Sequence, residues 1–202
     1  HSICARMLRR HAELVGLQSN FTIIDTDDQL RLLKQLISDA NIDEKRFPAR
    51  QLAGFIDSWK NRGLTPEDLT PGDNEAYANG KGQTMYAAYQ ARMKALNACD
   101  FGDLLLHMLN VLRRHRDILQ QYQQRFKYIM VDEFQDTNWA QYELIKMLAA
   151  PRNNLTVVGD DDQSIYRFRG ASMSNIMQFK DDYKEAEEIV LVVNYRSGQT
   201  IL

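Results

Sequence analysis

Three groups of residues in this chain could do phosphate or nucleic-acid chemistry, and each follows directly on a short apolar run. In the first, Val131-Asp132-Glu133-Phe134-Gln135-Asp136, an Asp at the end of a strand can hold Mg²⁺ on a nucleotide, and a neighbouring Glu can orient or deprotonate an attacking water. Standing alone, such a pair is as often a solvated turn or a helix N-cap. The second group runs from Gly159 to Ala171. Its Gln163 offers an amide to sense phosphate, while Tyr166, Phe168 and Arg169 offer rings and a guanidinium group to grip a strand. The plain alternative is a polar loop whose Tyr166 and Phe168 pack inward. The third group is Asn194-Tyr195-Arg196-Ser197, where Tyr195 could stack on a base and Arg196 could neutralise a phosphoryl group in transfer. By itself a Tyr-Arg pair says little.

The elements that must position these groups can be read from spacing. Thr26 followed by Gln29 resembles a capping box, and Leu30, Leu33, Leu36 and Ile37 then recur at helical intervals. A second helix is predicted from about Arg50 to Arg62, with Leu52, Phe55, Ile56 and Trp59 on one face and Gly63 as its stop. Thr65-Pro66 reads as another helix start, and residues 71–82 read as a loop. Helical stripes resume with Met85, Tyr86, Tyr89, Met93 and Leu96, and again with Leu104, Leu105, Met108, Leu109 and Leu112. Beyond Phe126 the pattern changes. Tyr128–Val131, Leu155–Val158 and Ile189–Val193 read as buried strands, separated by helices around Tyr142–Leu148 and Ser174–Phe179. Strands alternating with helices imply a parallel α/β sheet, whose ligands sit beyond the carboxyl ends of the strands.

Bulk properties narrow the partners. The 202 residues, 44% of them hydrophobic, suffice to bury a core in one medium domain or two small ones. With 25 basic against 27 acidic residues the net charge is −2, so no overall positive field draws the chain toward nucleic acid, and any DNA contact must be local. Cys4 and Cys99 stand far apart, outside any CxxC or Cys/His pattern with metal-ligand spacing, and read as lone buried thiols in a reduced, cytosolic protein. No apolar run is long enough to span a bilayer, so no membrane partner is expected. His1 is followed by no secretory pattern, and an internal fragment is the expectation.

Together the three groups closely resemble the UvrD/Rep/PcrA family of superfamily 1 DNA helicases, with wording nearest to the UvrD branch. The resemblance covers nearly the whole chain: His1-Ser2 with Arg6 and Arg9 nearby, Asp100-Phe101-Gly102-Asp103-Leu104-Leu105-Leu106, then the three groups in family order. The run from Gly159 to Ala171 is its specific core. It implies an ATP-dependent DNA helicase that moves 3′ to 5′ along one strand and unwinds duplex in repair or replication. ATP and Mg²⁺ would be its cofactors. Single-stranded DNA, single/double-strand junctions and DNA repair proteins would be its partners, in a bacterial cytoplasm. By resemblance, Asp132 is the Mg²⁺-associated acid, Glu133 activates water, and Gln163 senses the γ-phosphate. Tyr195 stacks on adenine and Arg196 is the arginine finger, a group worth about 10³ to 10⁵ in turnover. Tyr166, Phe168 and Arg169 fall where the family contacts single-stranded DNA, and His1 and Ser2 match the end of a motif that touches the DNA backbone. Phe168 stands where most relatives carry Trp, so stacking, worth roughly 1 to 3 kcal/mol per base, has less surface here. Val192 and Val193 replace usual polar residues without an assigned consequence.

The fold class that the resemblance implies is α/β: a mostly helical inserted subdomain over 1–126, then the C-terminal half of a RecA-like parallel-sheet P-loop NTPase domain over 127–192. Residues 193–202 would begin a second motor domain. The family also uses a Gly-rich loop ending in Gly-Lys-Thr or Gly-Lys-Ser to hold phosphates, and the sequence has neither. Gly80-Lys81-Gly82-Gln83-Thr84 lacks the upstream Gly and the preceding strand, and reads as a surface loop. The loop is expected upstream of His1 in a longer parent, leaving this segment alone without ATP turnover. Two other readings stay open: a non-catalytic DNA-binding or protein-docking module, and a helicase-nuclease subunit of the RecB or AddA kind. Arg6, Arg9 and Arg10 with Arg113, Arg114, His115 and Arg116 form either a DNA-facing patch or ordinary solvated helix faces.

Overall fold

The computed structural model describes residues 1–160 and 174–193. Its helices gather around two hydrophobic clusters. One is built from α2 (Thr26–Asp39), α3 (Ala49–Asn61) and α5 (Gly82–Ala95), which contribute Leu33 and Ile37, Leu52, Ile56 and Trp59, and Tyr86 and Tyr89. The i, i+3 and i, i+4 spacing of these residues puts each set on one helix face, where burial of an aliphatic side chain contributes about 1.5–3 kcal/mol. The other cluster centres on α6 (Phe101–Arg114), which α1 (Ser2–His11), α7 (Arg116–Arg125) and α8 (Trp139–Ala149) surround. Leu104, Leu105, Leu106, Met108, Leu109, Val111 and Leu112 are all buried, because α6 has neighbours on nearly every side. Residues before and after Phe126 share this cluster.

Local chemistry sets the helix ends, in places one residue from the sequence reading. The cap of α2 is Asp25, whose Oδ1 accepts from the Asp28 N–H at 2.9 Å, and Thr26 is the first helical residue. Asp25 holds extended backbone and offers a carboxylate to the same orphan N–H groups, so it takes the role expected of Thr26. α3 stops before Gly63, at φ +69°. Thr65 and Asp68 close a capping box on a 3₁₀ turn, Pro66–Asp68. The stretch expected to be a loop contains a short helix, α4 (Pro71–Glu75), which Thr70 and Asp73 cap reciprocally with Pro71 in the first turn. Two pairs of residues that carry no readable period form a parallel ladder, β1 (Thr22–Ile23) against β2 (Ala98–Cys99).

A second parallel pair, β3 (Ile129–Val131) and β4 (Leu155–Val157), is joined through α8, with Ile129 opposite Leu155 and Val131 opposite Val157. A further helix, α9, spans Ser174–Asp182. The strand expected at Ile189–Val193 does not form: the segment is irregular and Val192 is 86% exposed. An apolar run becomes a strand only where a neighbour supplies ladder partners, and among the described residues β3 and β4 pair only with each other. The described residues are thus mixed α and β, dominated by helix, with two small parallel sheets. Among the described residues no helix is long and apolar enough to cross a membrane.

Candidate functional site

Beyond the carboxyl end of β3 the ladder with the second strand continues through the turn. Val158 N–H donates to the Val131 carbonyl at 2.8 Å and Phe134 N–H to the Val158 carbonyl at 2.9 Å. Between them Glu133 adopts the left-handed conformation (φ +50°), uncommon for a residue with a Cβ and found mostly where surrounding bonds impose it. Asp132 and Glu133 are both exposed, and Asp132 Oδ1 accepts from the Glu133 N–H at 2.9 Å. The next two residues are buried. Phe134 meets Tyr142 of α8 and Phe179 of α9 edge-on, each at 5.6 Å between ring centroids. Gln135 donates from Nε2 to Glu133 Oε2 at 2.6 Å, and its Oε1 accepts from the Asp160 N–H at 3.1 Å. Asn138 then caps α8 in a reciprocal pair with Gln141, and Asn175 of α9 donates to the Thr137 carbonyl.

A cavity of about 320 Å³ joins this turn to the start of the chain, with His1, Asp132, Glu133, Asp136, Thr137 and Gln141 in its wall. The His1 ring stands edge-on to Phe101 at 5.8 Å, and Ser2 is the exposed first residue of α1. The structure therefore brings together His1, Asp132 and Glu133, three of the residues singled out from sequence. Asp136 Oδ1 is buried and has no hydrogen-bond partner among the described residues. An exposed carboxylate at a strand end, with this second acceptor in the same wall, is an all-oxygen set of the kind a hard cation such as Mg²⁺ prefers. A larger cavity of about 790 Å³ shares His1, Asp136 and Gln141 with the first. Asp25, Asp57 and Asp100 also line it, with the guanidinium of Arg62 and the exposed ring of Trp139. Burial raises the Asp57 carboxyl above its ordinary range.

Sequence reasoning missed a buried ion cluster beside that cavity. Lys60 Nζ lies 2.6 Å from Asp100 Oδ2 and 2.8 Å from Asp103 Oδ1, with 0% of its side chain exposed. Burial alone would lower the Lys60 pKa, but the two carboxylates outweigh it and the ammonium is held above its usual value. Asp103 is likewise pushed up by burial, yet ends below the carboxylate range because Lys60 stands against it. The Tyr89 hydroxyl donates to Asp100 Oδ2 at 2.8 Å and Gln90 Nε2 to Asp103 Oδ1 at 2.9 Å. The signal was present: Lys60 continues the stripe of Leu52 and Ile56 at intervals of four. Cys99, Asp103 and His107 also converge, with potential ligand atoms within 4.8 Å of one another, although the sequence reading placed Cys99 outside any such cluster. Burial raises the Cys99 thiol pKa and lowers that of His107, and the Lys60 ammonium already occupies Asp103. The group therefore works as an ion pair with buried neighbours rather than as a cation site.

Cys4 and Cys99 are free and buried. Arg9 is engaged within the chain, donating to the Ser19 and Phe21 carbonyls and covering the Phe21 ring at 4.3 Å. Arg113 covers the Trp139 ring at 5.5 Å. The stretch expected to be a surface loop is a turn only at Gly80 and Lys81: Gly82, Gln83 and Thr84 form the first turn of α5, where the Gln83 N–H donates to Asn74 Oδ1 at 2.9 Å. Gln163, Tyr166, Phe168, Arg169, Tyr195 and Arg196 lie outside the described residues.

Comparison with known proteins adds to this geometry. The family model of the UvrD/REP helicase N-terminal domain matches residues 1–184. Proteins named ATP-dependent DNA helicase PcrA, from Staphylococcus epidermidis and Staphylococcus aureus, are each 46% identical to the chain over all 202 of its residues. The chain spans 28% of the length of these relatives.

Proposed function

The chain belongs to the UvrD/REP helicase N-terminal domain family, and from that premise we propose that it is part of the motor of an ATP-dependent DNA helicase. The motor couples hydrolysis to 3′-to-5′ movement along single-stranded DNA and to duplex unwinding at junctions, in repair or replication. Residues 1–126 act as the helical insertion, 127–192 as the second half of a RecA-like domain, and 193–202 as the start of a second motor domain. One observation carries the reading: Asp132 and Glu133 stand at the carboxyl end of β3, in a cavity wall shared with His1.

In this reading Asp132 holds the Mg²⁺ of the nucleotide, which would supply positive charge against the phosphate oxygens. Glu133, exposed and fixed by its turn, accepts the proton of the attacking water and aims it. Gln163, Tyr195 and Arg196 complete the nucleotide side, while His1, Ser2, Tyr166, Phe168 and Arg169 hold the strand. No Gly-Lys-Thr or Gly-Lys-Ser occurs in the 202 residues, so this segment alone does not turn over ATP. The deciding experiment is Glu133→Gln in a full-length protein carrying the segment. ATP binding is expected to persist while turnover drops at least about a hundredfold. Near-normal turnover would remove Glu133 from the role.

A further inference from the structure

We propose that Gln135 is a positioning residue that ties the Glu133 carboxylate to the main chain at Asp160, so that the state of the segment after β4 is felt at the group that aims the water. The inference rests on the assignment of Glu133 made above.

The geometry is specific to an amide. One end of the Gln135 side chain donates and the other accepts, and both are used: Nε2 to Glu133 Oε2 at 2.6 Å, Oε1 from the Asp160 N–H at 3.1 Å. Gln135 is 3% exposed, so water has little access to replace either partner. Its backbone is anchored next to Phe134, which is wedged between Tyr142 and Phe179. The far end of the link is equally constrained. A Cβ added to Gly159 would stand 2.9 Å from Gln135 Oε1 and 3.5 Å from Gln135 N, so the close approach depends on a residue without a side chain.

Asp160 sits three positions before Gln163 in the sequence and shortly before Tyr166, Phe168 and Arg169, the candidate phosphate sensor and strand grips. Any rearrangement of that segment that displaces the Asp160 main chain lengthens the bond to Gln135 Oε1. The amide is then free to turn, and Glu133 loses the donor that holds its Oε2. The alternatives fail on chemistry. A carboxylate at 135 would face Glu133 with like charge, and an aliphatic side chain would hold neither end.

The test is Gln135→Met in the full-length protein, with steady-state ATPase measured with and without single-stranded DNA. Expected are a KM for ATP and a DNA affinity within about twofold of the parent, and a DNA-stimulated kcat lowered about tenfold, toward the basal rate. Gln135→Glu, which keeps the acceptor for Asp160 but repels Glu133, is expected to behave alike. A DNA stimulation within about twofold of the parent in Gln135→Met overturns the proposal, as does a parallel decline of kcat, ATP affinity and DNA affinity, which would mark a merely structural residue. Should Gln135→Met fail to fold, Gln135→Asn decides by the same criteria, its shorter amide being unable to span both partners. Glu133→Gln measured alongside separates the two readings. Its inactivity with unimpaired Gln135→Met sinks the link alone, whereas its full activity sinks the Glu133 assignment and the link with it.

Discussion

Lys60 Nζ lies 2.8 Å from Asp103 Oδ1, and essentially none of either side chain reaches solvent. Lys60 comes from α3 in one hydrophobic cluster and Asp103 from α6 in the other, so one ion pair joins the two.

Removing the cation strands two carboxylates. Lys60→Met is expected to destabilise the chain by about 3–5 kcal/mol, measured by denaturant unfolding. Adding Asp100→Asn and Asp103→Asn should restore part of it, because neutral amides bear burial better. A loss under about 1 kcal/mol for Lys60→Met would contradict the description of a dry, paired cluster.

Stability should fall on mild acidification. Burial holds the pKa of His107 below its ordinary 6.5, against the pull of Asp103. The unfolded chain therefore takes up the proton first: the contribution is complete above 6.5 and is lost as pH falls from there through the lowered folded value. His11, also lowered chiefly by burial, adds in the same direction. Melting temperatures at neutral pH and near pH 5.5 are the measurement, and His107→Gln should flatten the decline. An unchanged slope in that variant would place the effect elsewhere.

Gly63→Ala tests the stop of α3. The residue holds φ +69°, and a methyl there would stand 2.7 Å from Cζ3 of Trp139. The left-handed backbone alone costs about 1–2 kcal/mol for an L residue, and displacement of the ring adds to it. Trp139→Ala in the same background should recover the steric part but not the backbone part. Recovery of the whole loss would show that the backbone is not strained.

Gly159→Ala bears on the link through Gln135. Because the new methyl would lie 2.9 Å from Gln135 Oε1, the amide must shift, whereas Ile176 Cδ1 at 3.6 Å stays at ordinary contact distance. The expected outcome is a melting temperature close to the parent's, with DNA-stimulated turnover reduced about as far as in Gln135→Met, on the order of tenfold. Undiminished stimulation would show that the turn accommodates the methyl.

Much of this was legible from the chain. The stripes through Leu52–Trp59 and Met85–Met93 mark α3 and α5 by residues recurring three or four apart, and the dense apolar run Leu104–Leu112 marks α6, which is enclosed on nearly every side. Asp132 and Glu133 are recognisable as acids after a strand. Other features leave no such trace. Two-residue strands such as β1 and β2 are shorter than any period, and Ile189–Val193 has a strand's composition without a ladder partner among the described residues. Gln135 lies within a recognised motif, but its role depends on Asp160, 25 residues away, and local pattern does not encode that distance.

The sharing of one apolar cluster across Phe126 also governs how the molecule can be dissected. Severing the chain there would leave Leu105 and Leu109 on one piece and Leu144 and Leu148 on the other, each facing water where it now faces its counterpart. A soluble truncation must therefore keep α6 and α8 together, wherever its ends are drawn.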